Sequence, residues 1–203
     1  RCVGKYLYEK GIVLSRDMRI ETASGVKEVR VYSFNGKVNS ASVNLGKAEL
    51  AGKKIPCVWN EDKIVNKPVK IGGQDYKITL VNIGNPHCVV FSEKVDAVDV
   101  ETVGPVFENC EYFPERINAE FIRVVNKVTI KMRVWERGNG ETWSCGTGAA
   151  AAVVAAVLNG FCEKDTNITV KLRGGDLVVN YHSDGDVELM GSVKTVYEGK
   201  FEI

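Results

Sequence analysis

The chain has 203 residues, 44% apolar and 26% charged, which suits an ordinary globular protein with room for one large domain or two small ones. A net charge of +1 gives no electrostatic case for a nucleic acid or an anionic membrane as partner, and the longest apolar run, residues 149–158, is too short to span a bilayer. No signal peptide is visible; six scattered cysteines without C-x-x-C spacing, beside two histidines, argue against structural zinc and for mostly free thiols in a reducing, cytoplasmic setting.

Residues 1–10 (RCVGKYLYEK) place apolar side chains at helical spacing and stop at Gly11, which predicts a short helix with Cys2 at its amino end. The chain opens at Arg1-Cys2 without an initiator Met, and is read as a fragment or a processed chain. Residues 18–45 alternate apolar and polar across turns at Ser24-Gly25 and Asn35-Gly36, the pattern of hairpin strands. Strands are expected over 58–80, divided by Gly72-Gly73, with Cys57 in strand pattern just before them. A turn and an apolar strand come next, over 82–91 (NIGNPHCVVF). Residues 96–113 mix a short helical pattern with a loop, broken at Gly104-Pro105, and 118–134 alternate again.

Residues 136–142 form a polar, glycine-broken loop running into Cys145. Glu141 and Thr142 look structural, as caps of the helix expected after Cys145. The stretch after Cys145, Gly146-Thr147-Gly148 and then Ala and Val up to Asn159-Gly160, predicts a helix over 146–159, about 21 Å long. Its apolar residues go all the way round, so other structure should enclose it. Cys145 then sits where unpaired N–H groups and the positive end of the helix dipole favour a thiolate. Read alone, it fits better a small buried thiol opening a core helix. Three further strands are expected over 168–190, with turns at Gly174-Gly175 and Asp184-Gly185.

The order of cysteine, helix, glycine stop, hairpin and strand occurs at 2–46 and again at 145–191, an internal duplication. It predicts an α/β (α+β) protein of two pseudo-symmetric units, each an antiparallel curved sheet or barrel around a central helix. Residues 1–42 with 196–203 would be what remains of the first unit and 43–195 the second. Two thiols at equivalent helix ends can face one cleft, and that arrangement suits inversion of a carbon bearing hydrogen: one thiolate removes the proton and the opposite thiol returns one. A disulfide between Cys2 and Cys145, or two unrelated core thiols, fits the same pattern.

ERGNGETWSCGTGAAAA (136–152) resembles the second-cysteine signature of the diaminopimelate epimerase family, E-R-G-x-G-E-T-x-x-C-G-T-G-A. GNPHCVVF (84–91) is similar to that family's G-N-P-H segment, and RCVGKYLYEKG to the stretch that begins at the end of its first-cysteine motif, G-N-G-x-R-C. The ending at Val196-Tyr197-Glu198-Gly199 resembles the family's last strand. The resemblance implies a cofactor-independent epimerase, without metal, interconverting LL- and meso-2,6-diaminopimelate for lysine and peptidoglycan synthesis. It implies Cys2 and Cys145 as acid/base pair, with backbone N–H groups of Gly146 and Thr147 on the reacting carboxylate. Asn85, Asn118, Glu136 and Arg137 would hold the distal amino-acid end, His87 and Glu136 would tune the thiols, and Tyr197 would serve a homodimer. The family also has a segment before its first cysteine, so the first unit is expected incomplete, with an unpaired sheet edge. The alternatives are a related cofactor-independent racemase, such as one for proline, a fragment that only binds ligand, and a redox dithiol protein.

Overall fold

A computed structural model of the chain describes residues 1–200 as a mixed α/β protein of two compact units, residues 1–44 with the segment from 190 onward, and residues 45–189. The remaining residues of the expected 196–203 segment, 201–203, lie outside the described residues.

The first unit opens with α1 (Cys2–Glu9) and continues through β1 (Asp17–Thr22), β2 (Gly25–Phe34) and β3 (Lys37–Lys47), paired in that order as antiparallel hairpins. The tight turns fall at the Gly25 and Asn35-Gly36 positions that the sequence marks, where Asn35, Gly25 and Gly36 all take positive φ. The helix lies on the sheet at Gly4, where an added Cβ would come within 2.8 Å of a Val29 methyl. Its docking is fixed by Glu9 Oε1, which accepts both Lys5 Nζ at 2.6 Å and the Val38 N–H at 2.7 Å. Met18, Val29, Val31, Val38 and Ala41 form this unit's core.

The second unit holds β4 (Lys67–Ile71), β5 (Gln74–Asn82), β6 (Pro86–Phe91), α2 (Val100–Glu108), β7 (Asn118–Asn126), β8 (Thr129–Glu136), β9 (Gly140–Thr142), α3 (Gly146–Leu158), β10 (Asn167–Leu172), β11 (Gly175–Tyr181) and the start of β12 (Asp186–Ser192). Its sheet runs β12-β11-β10-β8-β7-β6-β5-β4, with β9 added beside β8. Pairing is antiparallel in the hairpins β4/β5, β5/β6, β7/β8 and β10/β11, and parallel at two joints, β6/β7 and β8/β10. Parallel neighbours need a crossover. The chain supplies α2 between β6 and β7, and β9 with α3 between β8 and β10.

Three expectations change. Residues 58–66 form no strand and belong to an irregular segment, with Cys57 in a turn rather than in a strand. Gly104-Pro105 does not break the helix over 100–108. A proline ring disfavours a helical residue before it partly through that residue's Cβ, which Gly104 lacks. The helix is capped at its start by Asp99, whose Oδ1 accepts the Thr102 N–H at 3.2 Å. The loop over 136–142 is a tight hairpin, with Glu136 opposite Gly140 and Val134 opposite Thr142. Gly138 and Gly140 turn it at φ 79° and 86°, conformations that cost other residues more.

Enclosure of the alanine-rich helix holds: Gly148 through Ala156 of α3 are all buried. Its small side chains let strands β5 to β8, β10 and β11 approach it. A second apolar cluster, centred on Phe107, Phe113 and Phe121, lies under α2. There Phe107 meets Phe121 edge-on at 5.4 Å and Tyr76 at 4.9 Å.

Candidate active site

Cys145 is the residue on which α3 begins. It keeps an extended backbone (φ −123°, ψ 114°) while its sulfur accepts the Gly148 N–H at 3.4 Å, with the Thr147 hydroxyl 3.7 Å away. A thiol thus stands where a helix usually places a Ser or Asp oxygen as cap, and neither Glu141 nor Thr142 caps the helix. Glu141 instead pairs with Arg133 at 2.8 Å and Arg173 at 3.1 Å. The hydroxyl of Thr142 donates to Glu136 Oε1.

A helix end by itself favours the thiolate, and that expectation does not hold for Cys145. Burial first, and then the charge of Glu120, push its thiol from 9.0 up to about 12, against the smaller pull of the Gly148 N–H and the Thr147 hydroxyl. Stability inherits this shift. The unfolded chain gives up the proton near the ordinary thiol value and the folded one only near 12. The stabilisation is therefore complete below about pH 9 and is lost as pH climbs from there. The fall in urea midpoint between about pH 8.5 and 10.5 is expected to be shallower in Cys145→Ser than in the wild type, and equal slopes would contradict it.

Beside the thiol runs a chain of polar groups. Asn85, in the turn before β6, puts Oδ1 3.0 Å from His87 Nε2. His87 is fully buried and its Nδ1 is 2.7 Å from Glu120 Oε1 on β7, itself fully buried. Asn118, at the start of β7, donates from Nδ2 to the Pro86 carbonyl at 2.7 Å and accepts the Arg137 N–H on Oδ1 at 2.9 Å. One amide side chain therefore ties the Asn85-Pro86-His87 segment to the 136–140 hairpin.

That hairpin has a second anchor. Glu108, buried on α2, accepts Trp135 Nε1 at 2.7 Å, the Gly138 N–H at 2.8 Å and Arg116 at 3.1 Å. The half-buried Arg137 donates from its guanidinium to the Glu115 carbonyl at 3.0 Å. Trp143, two residues before Cys145, is 68% exposed, with the Arg173 guanidinium 6.0 Å from its ring.

Of the residues singled out from sequence, Asn85, His87, Asn118, Glu136, Arg137, Cys145, Gly146 and Thr147 all belong to the second unit. Cys2 and Tyr197 belong to the first, where they line a pocket of about 690 Å³ with Tyr6, Lys10 and Lys194. Cys2 is the first helical residue of α1 and is exposed, whereas Cys145 precedes its helix and is buried. The two ends are thus offset by one residue. All six cysteines are free.

Sequence reasoning passes over Glu120 and Glu108. Glu120 has a signal: a carboxylate inside Ile117-Asn118-Ala119-Glu120-Phe121-Ile122, where every neighbour is buried. Glu108 has none, since an acidic residue near a helix end reads as solvated.

A family model described as diaminopimelate epimerase matches residues 79–196. Curated relatives with that name include one from Pelotomaculum thermopropionicum, 43% identical over 201 residues, spanning 99% of this chain and 71% of the relative. Another, from Geobacillus kaustophilus, is 44% identical over 202 residues, spanning 99% and 70%. Among solved structures, a probable proline racemase from Agrobacterium radiobacter K84 is similar at a TM-score of 0.67 and 14% identity, over 94% of this chain and 63% of that one. A hydroxyproline epimerase from Agrobacterium vitis has the same TM-score at 12% identity, over 94% and 61%. At such identities the likeness is one of fold. No helix of the described residues is long and apolar enough to cross a membrane.

Proposed function

The chain belongs to the diaminopimelate epimerase family, and from that premise we propose that it interconverts LL- and meso-2,6-diaminopimelate without a cofactor, using Cys145 and Cys2 as acid and base. One sulfur, as thiolate, removes the α-hydrogen as a proton. The carbanion left behind takes a proton on its opposite face from the other thiol. The two sulfurs have then exchanged protonation states, and the reverse reaction starts from that point. Cys145, held as a thiol by burial, is fitted to enter one direction as the donor.

The strongest support for this reading is the position of Cys145 at the entry of α3. The N–H groups of the first helical turn, at Gly146 and Thr147, have no intrahelical acceptor and can hold the reacting carboxylate and the charge that develops on it. The distal end of the substrate is also an amino acid. A guanidinium suits its carboxylate and a carboxylate its ammonium, which are the roles of Arg137 and Glu136 on the hairpin fixed by Asn118 and Glu108. Asn85 completes that end. A proline racemase of similar fold has no distal amino-acid group to recognise, and Glu136-Arg137 and Asn85-Pro86-His87 would have nothing to do there.

The protein is expected to act as a cytoplasmic homodimer, with Tyr197 at the interface. Incubated with LL-diaminopimelate in D₂O, it is expected to form the meso isomer with deuterium at the inverted α-carbon and no pyridoxal absorbance. Conversion of proline in place of diaminopimelate would overturn the substrate assignment; a Cys2–Cys145 disulfide that cycles readily without any epimerisation would favour the redox reading.

A further inference from the structure

Glu120 has no part in the mechanism above, and its surroundings give it one. It stands near the start of β7 with 0% exposure, among buried apolar neighbours. Only one carboxylate oxygen is engaged: Oε1 meets His87 Nδ1 at 2.7 Å, while Oε2 is buried with no hydrogen-bond partner. A half-satisfied buried carboxylate is costly and carries no structural return.

His87 Nε2 faces Asn85 Oδ1 at 3.0 Å. One hydrogen lies between His87 Nδ1 and Glu120 Oε1, whichever atom holds it. Burial holds the Glu120 carboxyl above the usual carboxylate range, partly offset by His87.

The pair reaches the thiol through Gly148. A Cβ placed on Gly148 would stand 2.8 Å from Glu120 Oε1 and 3.2 Å from Cys145 Sγ, so carboxylate and sulfur flank one point with no side chain between them. The titratable groups facing Glu120 are His87 and Cys88 on β6, Cys145 at the entry of α3 and Glu136 at the end of β8.

We propose that Glu120 is a positioning residue which, paired with His87 and set against Cys145 across Gly148, holds the Cys145 sulfur as a thiol until substrate arrives. The meaning of this for catalysis rests on the epimerase reading; the electrostatic effect does not, and it is read without substrate. Removal of the carboxylate charge with Glu120→Gln, which keeps the shape, is expected to raise the rate of Cys145 alkylation by iodoacetamide at about pH 8 roughly tenfold, measured by peptide mass analysis. A purely structural role would open the helix entry and expose the amides of residues 146–149 to hydrogen exchange. The proposal requires faster alkylation with that protection unchanged. An unchanged rate, or one that rises in proportion to lost protection, would overturn it. If Glu120→Gln does not fold, Glu120→Asp keeps the charge but draws it back by one methylene. Its alkylation should then rise by a smaller factor, about threefold, and an unaltered rate again counts against the proposal. Failure here with normal epimerisation would leave the function standing. A tenfold rise in a protein that never epimerises would separate them the other way.

Discussion

Cys145→Ala is expected to end epimerisation of diaminopimelate in both directions, lowering kcat/KM by about 10³- to 10⁴-fold, because inversion through two thiols needs an acid and a base on opposite faces in every turnover. The loss is symmetric even though the two cysteines are not alike in the fold. Whichever isomer enters, Cys145 must serve either as the sulfur that takes the proton or as the one that gives it. The remaining thiol can at most remove and return a proton on its own face. That leaves room for a slow deuterium wash-in with retained configuration from one isomer, and none for interconversion. Cys145→Ser should behave nearly as badly, since a hydroxyl is a far weaker acid than a thiol. The measurement is NMR of LL-diaminopimelate in D₂O, tracking both the appearance of the meso isomer and the α-hydrogen. Interconversion by Cys145→Ala at a rate near the wild type would exclude the two-thiol mechanism, whatever the family. Retained binding of the substrate by the same variant is expected, because the Gly146 and Thr147 amides do not depend on the sulfur.

Much of this site can be read from the sequence because its parts are local. The helix of Ala149 to Ala156 announces its own burial, and a cysteine before Gly146 and after a glycine-rich hairpin marks its entry. Hairpins at Asn35-Gly36 and Gly174-Gly175 form because these residues tolerate positive φ or lack a Cβ. What the sequence hides is the outcome of competition between distant groups. The helix dipole at Cys145 can be foreseen, but the stronger opposing effects cannot: the burial of the thiol in the folded chain, and Glu120 brought beside it from 25 positions earlier in the chain. The same holds for Gly104-Pro105, where a cap at Asp99 and the missing Cβ outweigh a rule that is sound for an isolated peptide. Asn118 reads as a substrate ligand by resemblance; a part that the sequence does not show is its bracing of the hairpin, through the Pro86 carbonyl and the Arg137 N–H.

Gly148→Ala tests how tightly those distant groups are set. By intrinsic preference the change should help: Gly148 lies inside α3 at ordinary helical φ, and Ala is favoured over Gly in a helix interior by about 1 kcal/mol. In the fold its new methyl would meet Glu120 Oε1 at 2.8 Å, Cys145 Sγ at 3.2 Å and Cys145 Cβ at 3.3 Å. None of these is the free end of a flexible chain. Glu120 is held by His87, and Cys145 caps the helix through the Gly148 N–H itself. The methyl must therefore push the carboxylate off the imidazole or the sulfur out of its cap. Overpacking of this kind costs about 1–3 kcal/mol, so the variant should be less stable than the wild type in urea in spite of its better helix residue. A displacement of about 1 Å at a reacting atom is enough to lower activity about 100-fold. Gly146→Ala supplies the comparison. Its Cβ would meet only a Leu189 methyl, at 2.9 Å, which can rotate aside. That variant should stay within about 1 kcal/mol of the wild type, keeping its backbone N–H in place. Equal stability of Gly148→Ala and Gly146→Ala, or a gain at Gly148, would mean that carboxylate and thiol are not pressed together across this residue.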